Sequence, residues 1–185
     1  SDSGFFNQLD NVYSPFTTAA SNAASRVQRT PALSTITDFL NQSGAIATNL
    51  KSLGAEADSQ AKADVTQINS LLVQIDQLNT SITRGSAGGQ DMSDAQNSQG
   101  KLVDQLAKLI DITVQTGPGG RVDIRGGQAG LALVDAAGPA TLIYVTTPGA
   151  PSQITITQAG GASRSLAQPG GELQGLLDLS NTEIP

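Results

Sequence analysis

The chain of 185 residues carries a net charge of −6 and contains neither cysteine nor histidine. This excludes disulfides, metal sites with thiolate or imidazole ligands, and Ser-His or Cys-His catalysis. The ten Lys and Arg residues are scattered and no run approaches the roughly 20 apolar residues of a membrane span, so we expect neither nucleic acid nor a membrane as partner.

The first part of the chain is predicted to be helical. Two short helices are expected around residues 5–13 and 15–29, and a much longer helix follows because residues 32–117 contain no proline. Thr30 is its expected N-cap, Pro31 its first residue, and Arg84-Gly85 its expected end. Gly44 and Gly54 are the places where a bend or break could occur.

The most regular apolar pattern of the long helix is a packing stripe in its second half. A spacing near 3.5 residues indicates lengthwise packing against other helices. The stripe could be core within one subunit or a seam between subunits, and we favour the intramolecular core. We also expect incomplete burial along part of residues 33–82. The stripe consists of Ile68, Leu71, Ile75, Leu78 and Ile82.

Another helix is predicted after the glycine-containing loop 85–92, with Ser93 or Asp94 as its cap. The carboxylates of Asp91 and Asp94 precede this helix, where they favour its positive end. We interpret them, and likewise Asp58 and Asp64, as capping or solvated groups and not as paired carboxylates for acid–base or metal chemistry.

From residue 112 onward the sequence alternates between β-branched and polar residues, which predicts about five short antiparallel strands. Residues 160–171 are a predicted loop, and residues 172–179 are predicted to form a final helix. The expected strands are residues 112–114, 122–124, 131–134, 142–145 and 154–157.

Together these elements predict an α+β fold. We expect an elongated helical bundle with one very long helix, and a small antiparallel β domain inserted before a returning C-terminal helix. The predicted domains are a helical rod domain over residues 1–110, the β domain over 111–169, and a returning segment of the helical domain over 170–185.

Two glycine-rich segments in the β region could be mistaken for phosphate loops. Residues 117–121 and 126–130 lack the Gly-Lys-Ser/Thr sequence that opens a helix, so we interpret both as hairpin turns. Asp111, Asp123 and Asp135 have no spacing that brings them together. We therefore expect no catalytic, cofactor-binding or metal-binding residue.

Four segments, in the same order along the chain, resemble the flagellar hook-associated protein 1 family. They are Phe5-Phe6-x-x-Leu9, a helical segment over residues 67–82, residues 101–109 followed by a strand, and residues 170–179. Two segments depart from the family: residues 97–100 replace an acidic-Gln-Arg-acidic sequence, and residues 15–31 are not typical. The matching positions include Phe5, Phe6, Leu9, Gln67, Asn69, Asn79, Gly170, Gly171, Leu173, Gly175, Leu176 and Leu177.

The resemblance implies a structural component of the bacterial flagellum, at the junction between hook and filament, without catalysis or a cofactor. It implies extracellular localisation after export by the flagellar type III apparatus without a signal peptide. The implied partners are further copies in a ring, the hook protein and the second junction protein. Ring formation and binding of the export chaperone would use terminal segments, which we expect this central fragment to lack.

Three alternatives remain open at this point. The chain could be another flagellar axial protein, such as the second junction protein or a flagellin-like protein. It could also be an extracellular adhesin or effector module, for which the β region would need an exposed patch and offers Tyr144 as its aromatic residue. A carboxylate enzyme acting on a glycan would need two carboxylates facing each other across a cleft.

Overall fold

The computed structural model describes Thr17 and residues 26–147, 150–161 and 163–182. Phe5, Phe6, Leu9 and the predicted helix at 5–13 lie outside the described residues, as does most of the predicted helix at 15–29. The described part has the predicted α+β composition, with a long helix, antiparallel strands and a C-terminal helix.

The long helix α1 spans Arg26–Ala87, which is 62 residues. The predicted start was wrong, because Thr30 and Pro31 lie inside the helix. The prediction rested on the cost of an interior proline, which supplies no N–H and whose ring crowds the carbonyl four residues earlier, about 3 kcal/mol in all. The helix is continuous through Gly44 and Gly54.

The end of α1 lies slightly beyond the predicted one. Arg84 is in the last turn as expected, but the terminating glycine is Gly89, with a φ angle of 70°. The Gly89 N–H donates to Ser86 and the Gln90 N–H donates to Gly85, which is the paired arrangement of a Schellman cap. Gly85 itself is buried against the Met92 side chain.

Contacts divide the chain into two compact units, Ser1–Ser52 and Leu53–Pro185. In the first unit Leu33, Leu40, Ile46 and Leu50 of α1 are exposed, with Leu33 at 64%, whereas Ile36 and Phe39 are half-buried. The expected incomplete burial of residues 33–82 is therefore observed, and it is concentrated before residue 53.

The second unit holds the remaining helices. Helix α2 spans Ser93–Leu109 and helix α3 spans Gly171–Thr182. Neither Ser93 nor Asp94 caps α2, since Met92 occupies the N-cap position and makes no side-chain cap bond. The side chain of Asp91 accepts the Ser93 N–H at 3.0 Å instead, so this carboxylate does satisfy a donor of the first turn.

Seven strands form two antiparallel sheets in the second unit, with orders β1-β2-β3-β4 and β5-β6-β7. All five predicted strands are present. The first sheet contains β1 (Ile112–Thr116), β2 (Val122–Gly126), β3 (Leu131–Asp135) and β4 (Gly138–Pro139), and the second contains β5 (Thr141–Thr147), β6 (Ala150–Thr157) and β7 (Ser163–Ser165).

Two strands were missed by the sequence-based prediction. Strand β7 lies within the predicted loop 160–171, and β4 has only two residues, Gly138 and Pro139. Both consist of residues with low strand propensity, and pairing with β3 and β6 places them in the sheets. The division into domains 1–110, 111–169 and 170–185 stays a prediction, although β1 begins at Ile112 and α3 at Gly171.

The core of the second unit is one aliphatic cluster to which helices and both sheets contribute. It joins Ile68 and Ile75 of α1 with Leu106 of α2, Ile124 of β2 and Leu173 of α3. Burial of such side chains stabilises the unit by about 1.5–3 kcal/mol each. Among the described helices, none combines the length and apolar character needed to cross a bilayer.

Candidate functional site

The candidate site is the face of α1 on which both sheets pack, all of it within the second unit. Of the predicted stripe, Ile68, Leu71, Ile75 and Ile82 are buried, whereas Leu78 is half-buried. The buried position between Ile75 and Ile82 is Asn79, which is only 6% exposed. A polar residue therefore completes the apolar stripe.

The side-chain amide of Asn79 forms two hydrogen bonds with the backbone of strand β2, in the place of a neighbouring strand. Its Nδ2 donates to the Val122 carbonyl oxygen and its Oδ1 accepts the Val122 N–H, both at 2.8 Å. Strand β3 pairs with β2 only from Ile124 to Gly126, so these two groups of Val122 have no partner from β3. The Asn79 amide, with one donor side and one acceptor side, satisfies both.

The same arrangement recurs ten residues earlier on α1, at the second sheet. Asn69 Nδ2 donates to the Leu142 carbonyl oxygen and Asn69 Oδ1 accepts the Leu142 N–H, both at 2.8 Å. Leu142 belongs to β5, which is an edge strand. Two asparagine amides thus attach one sheet each to the same helix, and each fixes the position of a strand along α1.

The segment that departs from the family supports the first of these attachments. Gln99 of α2 is buried, and its Nε2 donates to Asn79 Oδ1 at 2.8 Å. That oxygen therefore accepts from Gln99 and from Val122 together. Helix α2 is tied by this bond to the point where α1 contacts β2.

A third attachment is a cluster of side chains around Asp58 of α1. Asp58 Oδ1 accepts hydrogen bonds from Tyr144 of β5 at 2.5 Å, Ser180 of α3 at 2.6 Å and Ser152 of β6 at 3.2 Å. Asn181 adds bonds to the backbone of Ser152. Four elements meet at a single carboxylate oxygen, which a solvated aspartate would not do, so the solvated interpretation of Asp58 was wrong.

Electrostatics favour the ionised form of this carboxylate. Burial raises the pKa of Asp58, but the hydrogen bonds from Ser180, Tyr144 and Ser152 and the charge of Lys62 outweigh it, so the pKa lies below its usual value. Burial and the bond to Asp58 raise the pKa of the Tyr144 hydroxyl. Both directions keep Tyr144 protonated and Asp58 ionised, as a pair in which Tyr144 donates and Asp58 accepts requires.

Asp64 also differs from its predicted solvated state, being 2% exposed. Its Oδ1 accepts from Gln60 Nε2 at 2.8 Å, whereas its Oδ2 is buried and has no hydrogen-bond partner among the described residues. The spacing could have revealed this, since Asp64 lies three residues after Ala61 and four before Ile68, on the buried face of α1.

The returning segment begins with two glycines in the left-handed conformation. Gly170 and Gly171 have φ angles of 70° and 62°, and a Cβ atom at Gly171 would lie 2.8 Å from the Ile110 nitrogen. Leu173 and Leu177 are buried in the core cluster. Among the other matching positions, Leu176 is half-buried, and Gly175 and Gln67 are exposed.

The two glycine-rich segments of the β region are turns between antiparallel strands, as predicted. The first contains a 3-10 helix, Pro118–Gly120, and joins β1 to β2. The second joins β2 to β3, with positive φ angles at Gly127 and Gly130. Neither opens a helix, which a phosphate loop requires.

The three aspartates of the β region serve separate contacts. Asp123 pairs with Arg121 at 2.8 Å, the Asp135 side chain accepts the Ala137 N–H, and Asp111 lies against Gly170. Within residues 26–147, 150–161 and 163–182, no three acidic, cysteine or histidine side chains form a group that could hold a metal. Asn69, Asn79 and Asp58 can hold the two sheets against α1, because their polar atoms bond to the strands.

Comparison with known proteins identifies the same architecture elsewhere. A family model described as the flagellar hook-associated protein FlgK helical domain matches residues 1–185. The solved structure of the flagellar hook junction protein FlgK from Burkholderia pseudomallei is similar with a TM-score of 0.81 and 26% sequence identity. That similarity covers 95% of this chain and 33% of the solved one, so this chain spans about a third of its length.

No curated protein sequence matches the chain. The family match nevertheless extends over every residue, and the fold, with its long helix, antiparallel strands and C-terminal helix, agrees with the solved relative. The chain belongs to the FlgK helical-domain family, and with it to the structural proteins of the bacterial flagellum.

Proposed function

We propose that this chain is a structural segment of the junction between the flagellar hook and the filament, and that it acts by packing and not by catalysis. The observation that carries the proposal is the family match over residues 1–185, together with 26% identity to a hook junction protein. Residues 1–110 and 170–185 would form the helical rod and residues 111–169 the attached β domain.

The three polar attachments support a mechanical role. A subunit that transmits torque must keep its β domain from sliding along its helix. Asn69 and Asn79 each bond to one strand residue, and Asp58 bonds to Tyr144 and Ser152 on two strands. They oppose such sliding, because a shift would leave these polar groups unpaired. Removing the partner of such a group costs about 1–3 kcal/mol.

The hydrogen bonds of the cluster around Asp58 support a role without catalysis. Asp58, Ser152 and Ser180 resemble parts of a nucleophilic site, but a serine nucleophile needs a general base that takes its proton. Here the hydroxyls of Ser180 and Tyr144 already donate to Asp58, whose lowered pKa makes it a weak base. Tyr144 is half-buried, which also disfavours an aromatic adhesin patch.

The finer expectations belong to the same proposal. The protein would self-associate in a ring, contact the hook protein and the second junction protein, and reach the cell exterior through the flagellar type III apparatus without a signal peptide. Self-association and chaperone binding would use terminal segments outside this chain, consistent with its covering about a third of the solved relative.

The test is deletion of the encoding gene followed by complementation. We expect deleted cells to assemble hooks without filaments and to release flagellin into the medium, as seen by electron microscopy and immunoblotting. The intact gene should restore filaments. Normal filaments on the deleted cells would overturn the proposal.

A further inference from the structure

The turn between α1 and α2 contains Met92, the single methionine of the 185 residues, and the sequence holds no cysteine. Met92 occupies the N-cap position of α2, which serine, threonine, aspartate or asparagine usually occupies. Its carbonyl oxygen accepts the Gln96 N–H at 2.9 Å, but its side chain makes no cap bond. The Met92 side chain therefore serves another purpose at this position.

The Met92 side chain packs on the last turns of α1. Gly85 is buried although it lies near the helix end, and Met92 covers it. A Cβ atom at Gly85 would overlap the Met92 sulfur and would lie 2.9 Å from Cε and 3.1 Å from Cγ. The thioether thus occupies the space that a side chain at residue 85 would fill.

Each residue of this pair departs from what its own position favours. Glycine inside a helix costs about 1 kcal/mol relative to alanine. An apolar N-cap supplies no side-chain acceptor for the first N–H groups of a helix. Both departures have one physical explanation, because glycine at residue 85 lets Met92 approach α1 this closely.

The hydrogen bonds of the turn itself are local. The N–H groups of Gly89 and Gln90 donate to the end of α1, and Asp91 accepts the Ser93 N–H. These bonds close one helix and open the next, but they do not join α2 to α1. The contact of Met92 with Gly85 does join them, at the start of α2.

The thioether is also a group that can be chemically modified. Met92 is half-buried, and its neighbours Asp91 and Ser93 are exposed, so small molecules can approach from solvent. A hydroperoxide transfers one oxygen atom to the sulfur. The O–O bond breaks, the sulfur is oxidised to the sulfoxide, and the peroxide is reduced to water or an alcohol. A sulfoxide is polar and chiral, which is unfavourable in an apolar contact.

We propose that Met92 is an oxidation site that controls the turn between α1 and α2, with a hydroperoxide as the oxidant. The thioether packs on Gly85 and holds the start of α2. The sulfoxide oxygen has no room against Gly85, so the oxidised side chain leaves the contact and the first turn of α2 loosens. A methionine sulfoxide reductase reverses the change, releasing the oxygen as water while a dithiol becomes a disulfide.

The test uses the protein as the cell produces it, treated with hydrogen peroxide. Peptide mass spectrometry locates the added oxygen, and hydrogen exchange measures the protection of residues 85–99. We expect the sulfoxide at Met92 and exchange over residues 85–99 several-fold faster than before treatment, with residues 61–75 unchanged. The reductase with a dithiol should restore the original protection.

The matched control is Met92→Leu, which keeps an apolar side chain of similar size but has no sulfur. Its exchange over residues 85–99 should be the same with and without peroxide. This variant separates the effect of Met92 from oxidation of any other methionine of the complete protein.

Two glycine variants test the contact itself. Gly85→Ala places a Cβ where the sulfur lies, so Met92 should be displaced and oxidised several-fold faster. Gly88→Ala is its control, because a Cβ there would meet only backbone oxygens, at 3.5 and 3.6 Å, which is an ordinary contact distance.

The proposal is overturned if peroxide leaves Met92 unoxidised, if the sulfoxide leaves exchange over residues 85–99 unchanged, or if Met92→Leu responds to peroxide as the unmodified protein does. Equal oxidation rates of Met92 in the two glycine variants would also contradict it. These outcomes are independent of the junction role, which the deletion phenotype tests on its own.

Discussion

Asn79 lies where the helical repeat of α1 places an apolar residue, four positions after Ile75 and three before Ile82. Its amide replaces a missing strand beside Val122, and Gln99 holds its oxygen from the other side. At the scale of single residues, this amide and that of Asn69 decide where each sheet meets the helix.

We predict that Asn79→Leu, which keeps the number and branching of the side-chain heavy atoms, lowers the free energy of unfolding by about 2–4 kcal/mol. The N–H and C=O of Val122 would remain buried without partners, and each such group costs about 1–3 kcal/mol. Urea unfolding followed by circular dichroism measures the change.

The control for this variant is Gln67→Leu, an exposed position on the same helix. Surface substitutions of this kind change stability by about 0.5 kcal/mol or less. Equal effects of the two variants would contradict the role of Asn79 in holding β2.

The sequence-based prediction placed Leu78 in the buried stripe instead of Asn79. Both residues fit helical spacing, and hydrophobicity alone favours the leucine. The signal for the asparagine was its position midway between Ile75 and Ile82 in steps of four and three. The hydrogen-bond partner could not be predicted from the sequence, because Val122 is 43 residues away. The backbone of Val122 needs a partner only because β3 pairs with β2 from Ile124 onward.

Asp58 predicts a pH dependence of stability. Its pKa in the folded chain is below the ordinary value of 3.8, so its contribution to stability is fully present above that value and is lost as the pH falls through the lower folded-state pKa. We expect the difference in unfolding free energy between the unmodified chain and Asp58→Asn to shrink steadily as the pH is lowered from about 5.

The measurement is urea unfolding of both proteins at a series of acidic pH values. Tyr144→Phe removes one of the three hydroxyl donors and should show an intermediate dependence. A difference that stays constant or grows towards low pH would contradict a lowered pKa of Asp58 in the folded chain.

Among the elements, the returning helix α3 offers a matched pair of glycines. Gly171 has a positive φ angle, and a Cβ there would contact the backbone of Leu109 and Ile110, whereas Gly175 lies inside the helix facing open space. Both belong to the segment that resembles the family, yet they have opposite physical roles.

We predict that Gly171→Ala destabilises the chain by about 1–2 kcal/mol, because alanine is strained in the left-handed region and its Cβ meets backbone atoms. Gly175→Ala should stabilise by about 0.5–1 kcal/mol, because alanine favours the helix interior. Thermal unfolding of the two variants compares them directly. Effects of the same sign would contradict the different roles of the two glycines.

Secondary structure could be predicted from the sequence for the elements with a clear periodic pattern bounded by turn residues. Helix α3 and the five longer strands follow from periodicity and turn residues. The separation into two sheets could not be predicted, since it depends on β4 and β5 belonging to different sheets although only Ala140 lies between them. Such a change of sheet is a tertiary event with no local composition signal.

The two compact units differ in how deeply the apolar side chains of α1 are buried. Residues 61–75 of α1 carry buried core side chains, whereas Leu33, Leu40, Ile46 and Leu50 are exposed. Few buried contacts mean a low free energy of local opening. We predict that backbone amides of residues 33–50 exchange hydrogen at least about tenfold faster than those of residues 61–75.

Hydrogen exchange followed by mass spectrometry resolves these two peptides in one experiment. The comparison is internal, because both segments belong to the same helix under identical conditions. Equal protection along the whole of α1 would contradict the difference in packing.

The proposed structural role where the hook meets the filament can be tested by locating the protein on isolated flagella. An epitope inserted between Ala136 and Ala137, an exposed turn after β3, can be detected with gold-labelled antibody in electron micrographs. We predict gold in a narrow band at the boundary between hook and filament. Gold spread along the filament, or absent from the flagellum, would contradict the claim.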